Sequence, residues 1–292
     1  MKAARRTLGS SAAAVLYVLL WSSGFIAAKV CVRDCPPMTL LSVRFLLAAG
    51  LMWGLATWLG MKGPATRRAW LRLSVLSVLG LALPMAFNFV ALRQVSAGTA
   101  AIVAATNPLL LSVVAPHLLG ERLGAKRVAG LVLGFGGVLG VMMARVGAGG
   151  RHDTLLGVCL LFAHVFSLVS ATILFKRIPP REPLLVVNAV QLLVSGVLLA
   201  VPALVLEDPR AIVVSAHFVS SFLYLLFVLS IGASLLWFWL LSKGEASVAS
   251  SYLFLSPPFG LMFAAVLLGE VLTIRDGIGL VAITIGIAMM GR

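Results

Sequence analysis

Apolar residues fill this chain in blocks of roughly twenty, broken by short polar or glycine-rich turns. A helix rises 1.5 Å per residue, so about 20 apolar residues cross the ~30 Å hydrocarbon core of a bilayer. Ten such blocks can be marked, at roughly 9–30, 38–60, 71–92, 97–119, 126–146, 155–175, 183–205, 217–241, 247–268 and 276–291. The pattern predicts an all-α integral membrane protein with ten transmembrane helices, numbered below as spans 1 to 10. Its longest connections run about ten residues, which leaves no room for a soluble domain. The N-terminal KAARR resembles the start of a signal peptide. The apolar stretch behind it is too long, and no small-x-small cleavage site follows, so it is read as span 1.

Composition supports the membrane reading. Hydrophobic residues make up 61% of the chain and charged residues 11%, against about 25% charged in soluble domains; mean hydropathy is +1.10. A net charge of +14 on a soluble fold would suggest nucleic acid, but here the charge sorts by loop. With the N-terminus inside, fifteen Lys and Arg fall on the inner side, Arg67, Arg72, Arg127 and Lys176 among them. Seven fall on the outer side, and Arg44 alone lies inside a span. The positive-inside rule then puts both termini in the cytoplasm, and no nucleic-acid partner is needed. Cys31, Cys35 and Cys159 form no cluster at zinc spacing, so no metal or cofactor is expected. Cys31 and Cys35 are either two free thiols or a local disulfide.

The chain also repeats itself. Pro108 to Gly137 recur without a gap 149 positions later as Pro257 to Gly286, with LLGERL (Leu118 to Leu123) answered by LLGEVL (Leu267 to Leu272). Two related five-span halves follow, 1–146 and 155–292, joined by residues 147–154, most of them in the Gly- and charge-rich stretch Arg145 to Asp153. Five is odd, so the second half enters the membrane reversed, which predicts inverted repeats around a central cavity. Small residues crowd span 5 (Gly130, Gly134, Gly137) and span 10 (Gly279, Gly286), a spacing suited to close helix packing or a dimer surface.

WSSGFIAAK in span 1 (Trp21 to Lys29), a proline with an Arg-Phe pair in span 2 (Pro37, Arg44, Phe45), and the doubled Pro…Leu-Gly-Glu…Gly resemble the EamA family of the drug/metabolite transporter superfamily. The resemblance covers essentially the whole chain. It implies a bacterial inner-membrane exporter of amino acids, aromatic or other neutral as in the YddG type, and of related small metabolites. It would work by alternating access, as a monomer or homodimer. Organic anions or sugar derivatives are the alternative cargo; a channel or a non-transporting receptor is a more distant one.

Candidate chemistry narrows the mechanism. All nine acidic residues fall at helix ends or in loops, so no mid-membrane carboxylate is available to carry protons; facilitated export or exchange is expected. No nucleophile, metal site or carboxylate pair shares one depth, which excludes an enzyme from the reading. Aromatic and small polar residues are the expected substrate contacts: Tyr17 and Trp21 in span 1, Asn88 in span 3, Thr99, Thr106 and Asn107 in span 4, His164 and Ser167 in span 6, Ser234 and Trp237 in span 8, Tyr252 and Ser256 in span 9. Pro84, Pro108 and Pro257 within spans suggest bends or a cavity. His164 has two readings, a substrate contact and an interhelical hydrogen bond. Lys29 and Arg44 either meet an anionic group or are structural, Lys29 snorkelling and Arg44 binding carbonyls or Asp34. Glu121 and Glu270 either cap backbone groups at helix ends or pair with Arg127 and Arg275, or else form a gating ion pair. Trp53 is expected to face lipid.

Overall fold

The computed structural model describes residues 2–104, 106–119, 125–146, 153–243, 256–269 and 273–290, and every regular element among them is helical. α1 is Lys2–Asp34 and α2 is Pro37–Trp58. α3 (Arg67–Ala91) passes through a π turn at Val78–Ala82. α4 (Ala97–Ala104), α5 (Asn107–Leu119) and α6 (Ala125–Val146) precede α7 (Leu155–Arg177) and α8 (Leu184–Leu206). α9 (Ala216–Ser242) contains a second π segment at Tyr224–Ala233. α10 (Ser256–Leu268) and α11 (Ile274–Met290) end the described chain.

Among the described residues, six helices are long and apolar enough to cross a membrane: α1, α2, α3, α7, α8 and α9. α6 and α11 carry shorter apolar stretches, Val128–Gly137 and Gly277–Gly286. The expected span 4 is two helices rather than one. Pro108 has no N–H to offer the Ala104 carbonyl, so the hydrogen-bond ladder of α4 is not extended. Just upstream, Thr106 donates its hydroxyl to the Val103 carbonyl at 2.7 Å. Tyr252, Glu121, Glu270 and residues 147–152 lie outside the described residues.

Local chemistry explains where the helices start. Thr66, Thr154 and Ser215 are N-caps whose hydroxyls accept from the amides of Ala69, Gly157 and Phe218 at 3.1, 3.1 and 3.0 Å. α2 opens on Pro37, and its cap comes from 170 residues away in round numbers. Glu207 accepts from the amides of Met38 and Thr39 at 2.9 and 2.7 Å, placing a carboxylate at the positive end of the helix.

Contacts between helix ends give their directions. The Asp34 carboxylate accepts from Ser215 Oγ at 2.6 Å, the Lys29 ammonium binds the Leu92 and Val95 carbonyls, and Asp153 accepts from the Ser96 amide at 2.7 Å. One end of the bundle therefore gathers the C-termini of α1, α3 and α8 with the N-termini of α2, α4, α7 and α9. At the other end Arg72 pairs with Glu182 at 2.7 Å, and Lys176 donates to the Leu241 carbonyl at 3.0 Å. α7 thus runs opposite to α1.

α2 packs along α8 and α6 along α11. A Cβ on Gly286 would stand 2.5 Å from the Gly130 carbonyl oxygen and 2.7 Å from the Gly134 nitrogen, so Gly286 packs directly on the backbone of α6. Outward faces are apolar, with Leu204 81% and Ile274 86% exposed, a surface for lipid rather than water. Trp53 does not fit the lipid-facing expectation. It is half-buried and stacks on Trp70 at 6.2 Å, whereas Trp58 is 81% exposed. Cys31 and Cys35 are buried free thiols.

Candidate functional site

A cavity lies between α1, α2, α3, α4, α5, α7, α8 and α9. Its volume is about 140 Å³. On α1 its wall runs from Tyr17 to Ala28, about 16 Å of helix rise. Both π segments border it. Side chains of neighbouring helices bond carbonyls within both: Ser167 Oγ donates to the Leu79 carbonyl at 2.7 Å, and Asn188 Nδ2 to the Ser230 carbonyl at 3.1 Å.

One end of the cavity is aromatic. Tyr17 stacks on Trp237 with ring centroids 5.1 Å apart and on Trp21 at 6.0 Å, and Trp21 meets Phe25 edge-on at 6.2 Å. Tyr17 therefore separates the two tryptophans, which do not form a pair of their own. The other end is cationic. The Arg44 guanidinium carbon lies 4.6 Å from the Phe45 ring centroid and 5.2 Å from that of Phe89.

The expected contacts divide by location. Tyr17, Trp21, Asn88, Asn107, Ser234 and Trp237 are on the cavity wall. His164 is off it and donates from Nδ1 to the Pro84 carbonyl at 2.8 Å, the interhelical alternative of its two readings. Ser167 is held by the Leu79 carbonyl, Thr106 by the Val103 carbonyl, and Thr99 by Asp153. Ser256 shares a 3.0 Å hydrogen bond with Ser22 that ties α10 to α1. Tyr252 lies outside the described residues.

The wall also carries polar residues outside that set: Arg44, Thr172, Asn188, Gln191 and Ser230. The two amides sit three residues apart inside the apolar run LLVVNAVQLL, so they share a helix face. That isolated pair was a readable signal. For Lys29 the structural reading holds, since its ammonium caps the C-terminal carbonyls of α3. Arg44 departs from its structural reading. Asp34 is engaged by Ser215, and no carboxylate pairs with Arg44 among the described residues. Arg44 Nε, Asn88 Oδ1 and Ser230 Oγ are all buried without a hydrogen-bond partner. Among the described residues, the wall carries no acidic one.

Residues 9–143 and 155–292 each match the EamA-like transporter family. The chain belongs to that family. Among its EamA-like relatives is a protein of Salmonella typhimurium (strain LT2) named a probable amino-acid metabolite efflux pump. It is 30% identical over 289 residues, covering 94% of this chain and 92% of the relative. The Escherichia coli K12 protein of the same name is 28% identical over 296 residues, with the same coverage. The uncharacterized transporter YvbV of Bacillus subtilis 168 is 28% identical over 274 residues, covering 94% and 88%. A crystal structure at 21% identity superposes with a TM-score of 0.71 over 97% of both chains, a likeness of fold.

Proposed function

We propose that this EamA-like transporter exports neutral amino acids, aromatic ones among them, by alternating access without proton coupling. The observation that carries the reading is the central cavity, with an aromatic end formed by Tyr17, Trp21 and Trp237, a cationic end at Arg44, and no carboxylate among the described residues of its wall. An amphipathic solute with an apolar body and a carboxylate fits that polarity. Asn88, Asn107 and Ser234 supply further polar contacts, and the Salmonella and Escherichia relatives are named probable amino-acid metabolite efflux pumps, which supports cargo of the amino-acid class. The architecture proposed with it is ten spans in two inverted halves, 1–146 and 155–292, with both termini in the cytoplasm of a bacterial inner membrane. Supporting this are the twofold family match, the opposite directions of α1 and α7, and the π segments of α3 and α9. Val78–Ala82 shifted by the 149-residue repeat falls inside Tyr224–Ala233.

Counterflow in proteoliposomes tests the reading. Vesicles loaded with unlabelled L-phenylalanine should accumulate labelled L-phenylalanine transiently, and empty liposomes should not. Absence of counterflow across a panel of neutral amino acids would refute it.

A further inference from the structure

A cation inside a membrane-spanning bundle is expensive unless something pairs with it. Arg44 is 4% exposed, lies on the cavity wall, has an unpartnered Nε and meets no carboxylate among the described residues. It is the eighth residue of α2, about 10 Å of rise from the helix start. The faces of Phe45 and Phe89 support it from the side, and cation–π contacts of this kind hold a guanidinium without using its N–H donors. The planar fork therefore stays available for a bidentate acceptor, which is what a carboxylate is. Next to Phe89 in sequence, Asn88 keeps a buried Oδ1 without a donor. That oxygen suits an ammonium.

We propose that Arg44 is the specificity-determining anchor of the cavity: it binds the substrate's carboxylate, so the carboxylate is the required group and the ammonium, met only by neutral acceptors such as Asn88, is dispensable. The ligand class is then an amphipathic monocarboxylate, amino acids and simple organic acids alike, with its apolar body toward Tyr17 and Trp237. Tyr17 lies about 25 Å from the Asp34 end of α1 and Arg44 about 10 Å from the same end of α2. The two ends of the site are thus roughly 15 Å apart before the reach of either side chain is subtracted. Amines and permanent cations have no partner at the Arg44 end and are excluded. The inference rests on reading the cavity as a substrate site.

Titration calorimetry of the purified, detergent-solubilised protein with L-phenylalanine, 3-phenylpropionate and phenethylamine tests it. Both carboxylates should bind, and the amine at least about tenfold more weakly, the usual scale of one charge-assisted contact. Arg44→Gln should weaken both carboxylates by about tenfold or more while leaving the amine unchanged, and Arg44→Lys should restore part of the loss. Because it removes an unpaired buried charge, Arg44→Gln should melt no lower than the wild type. A purely structural arginine would instead lower the melting temperature and weaken all three ligands together. That result overturns the proposal, as does wild-type protein that binds neither carboxylate or binds the amine equally well. Counterflow separates this from the transport reading. Wild type that binds the carboxylates but carries none refutes transport and leaves the anchor standing. If Arg44→Gln carries L-phenylalanine as well as wild type does, the anchor falls and transport stands.

Discussion

Replacing Gly286 with alanine tests whether α6 and α11 pack backbone against backbone. The added Cβ would stand 2.5 Å from the Gly130 carbonyl oxygen, 2.7 Å from the Gly134 nitrogen and 3.0 Å from the Gly134 Cα. Favourable contacts between heavy atoms begin at about 3.5 Å, so the helices must part by up to roughly 1 Å. No side-chain rotation can relieve a clash with main-chain atoms. Overpacking of this kind costs about 1–3 kcal/mol, and the upper part of that range applies because the strain spreads along both helices. Gly277→Ala is the internal control. It adds the same methyl group to the same helix where nothing lies within 4 Å, and alanine is otherwise favoured over glycine in a helix by about 0.5–1 kcal/mol. Thermal unfolding followed by size-exclusion chromatography in detergent should show Gly286→Ala melting several degrees below the wild type. Gly277→Ala should match or exceed it. Equal melting of the two variants would refute the close approach.

Three further outcomes are expected. Trp21→Ala and Trp237→Ala should weaken L-phenylalanine binding by about 1–3 kcal/mol of lost apolar contact, a five- to hundredfold effect, while nearly sparing L-alanine; Trp58→Ala is the lipid-facing control, and equal losses for both substrates would mark the tryptophans as packing residues. Maleimide applied from outside should label Gly149→Cys and not Pro64→Cys in a background lacking the exposed Cys159, and the reverse pattern would sink the inverted topology. In that assay Cys35 should stay silent at neutral pH, because burial first and then the Glu207 carboxylate push its thiol up to about 11, leaving little of the reactive thiolate. A proton gradient imposed on proteoliposomes should change the initial transport rate little, and several-fold uphill accumulation would refute a cavity wall free of proton-carrying carboxylates.

Faces along single helices were legible in the sequence. The i, i+4 pair Tyr17 and Trp21, together with Asn88 and Trp237, follows from periodicity alone, and all four meet at one cavity. The small residues of spans 5 and 10 were legible as sites of close helix packing, but not that Gly286 meets Gly130. Partners on other helices could not be read this way. His164 and Ser167 share a polar face in the sequence, yet that face points at the Pro84 and Leu79 carbonyls of α3. Thr99 looked like a pore residue until Asp153, 54 positions later, supplied its acceptor. Arg44 failed in the opposite sense. Asp34 was its nearest carboxylate in sequence, and only the folded chain gives that carboxylate to Ser215. A hydrogen-bond account needs both partners, and the sequence displays one at a time.

The π turn at Val78–Ala82 also bears on how this chain can change length. An α-helix that gains one residue while packing holds both of its flanks in place absorbs the addition as a π turn. Here the flanks are held, by Ser77 and Ser195 on one side and by Pro84 and His164 on the other. α3 therefore carries its surplus residue where the faces above and below keep their bearings. A one-residue gap in the alignment of a relative belongs at this turn, and elsewhere in α3 it would rotate every later side chain by about 100°. Deleting a residue within 78–82 would straighten the helix and displace the Leu79 carbonyl that Ser167 bonds. The distortion is in effect an insertion site that the fold has already accommodated.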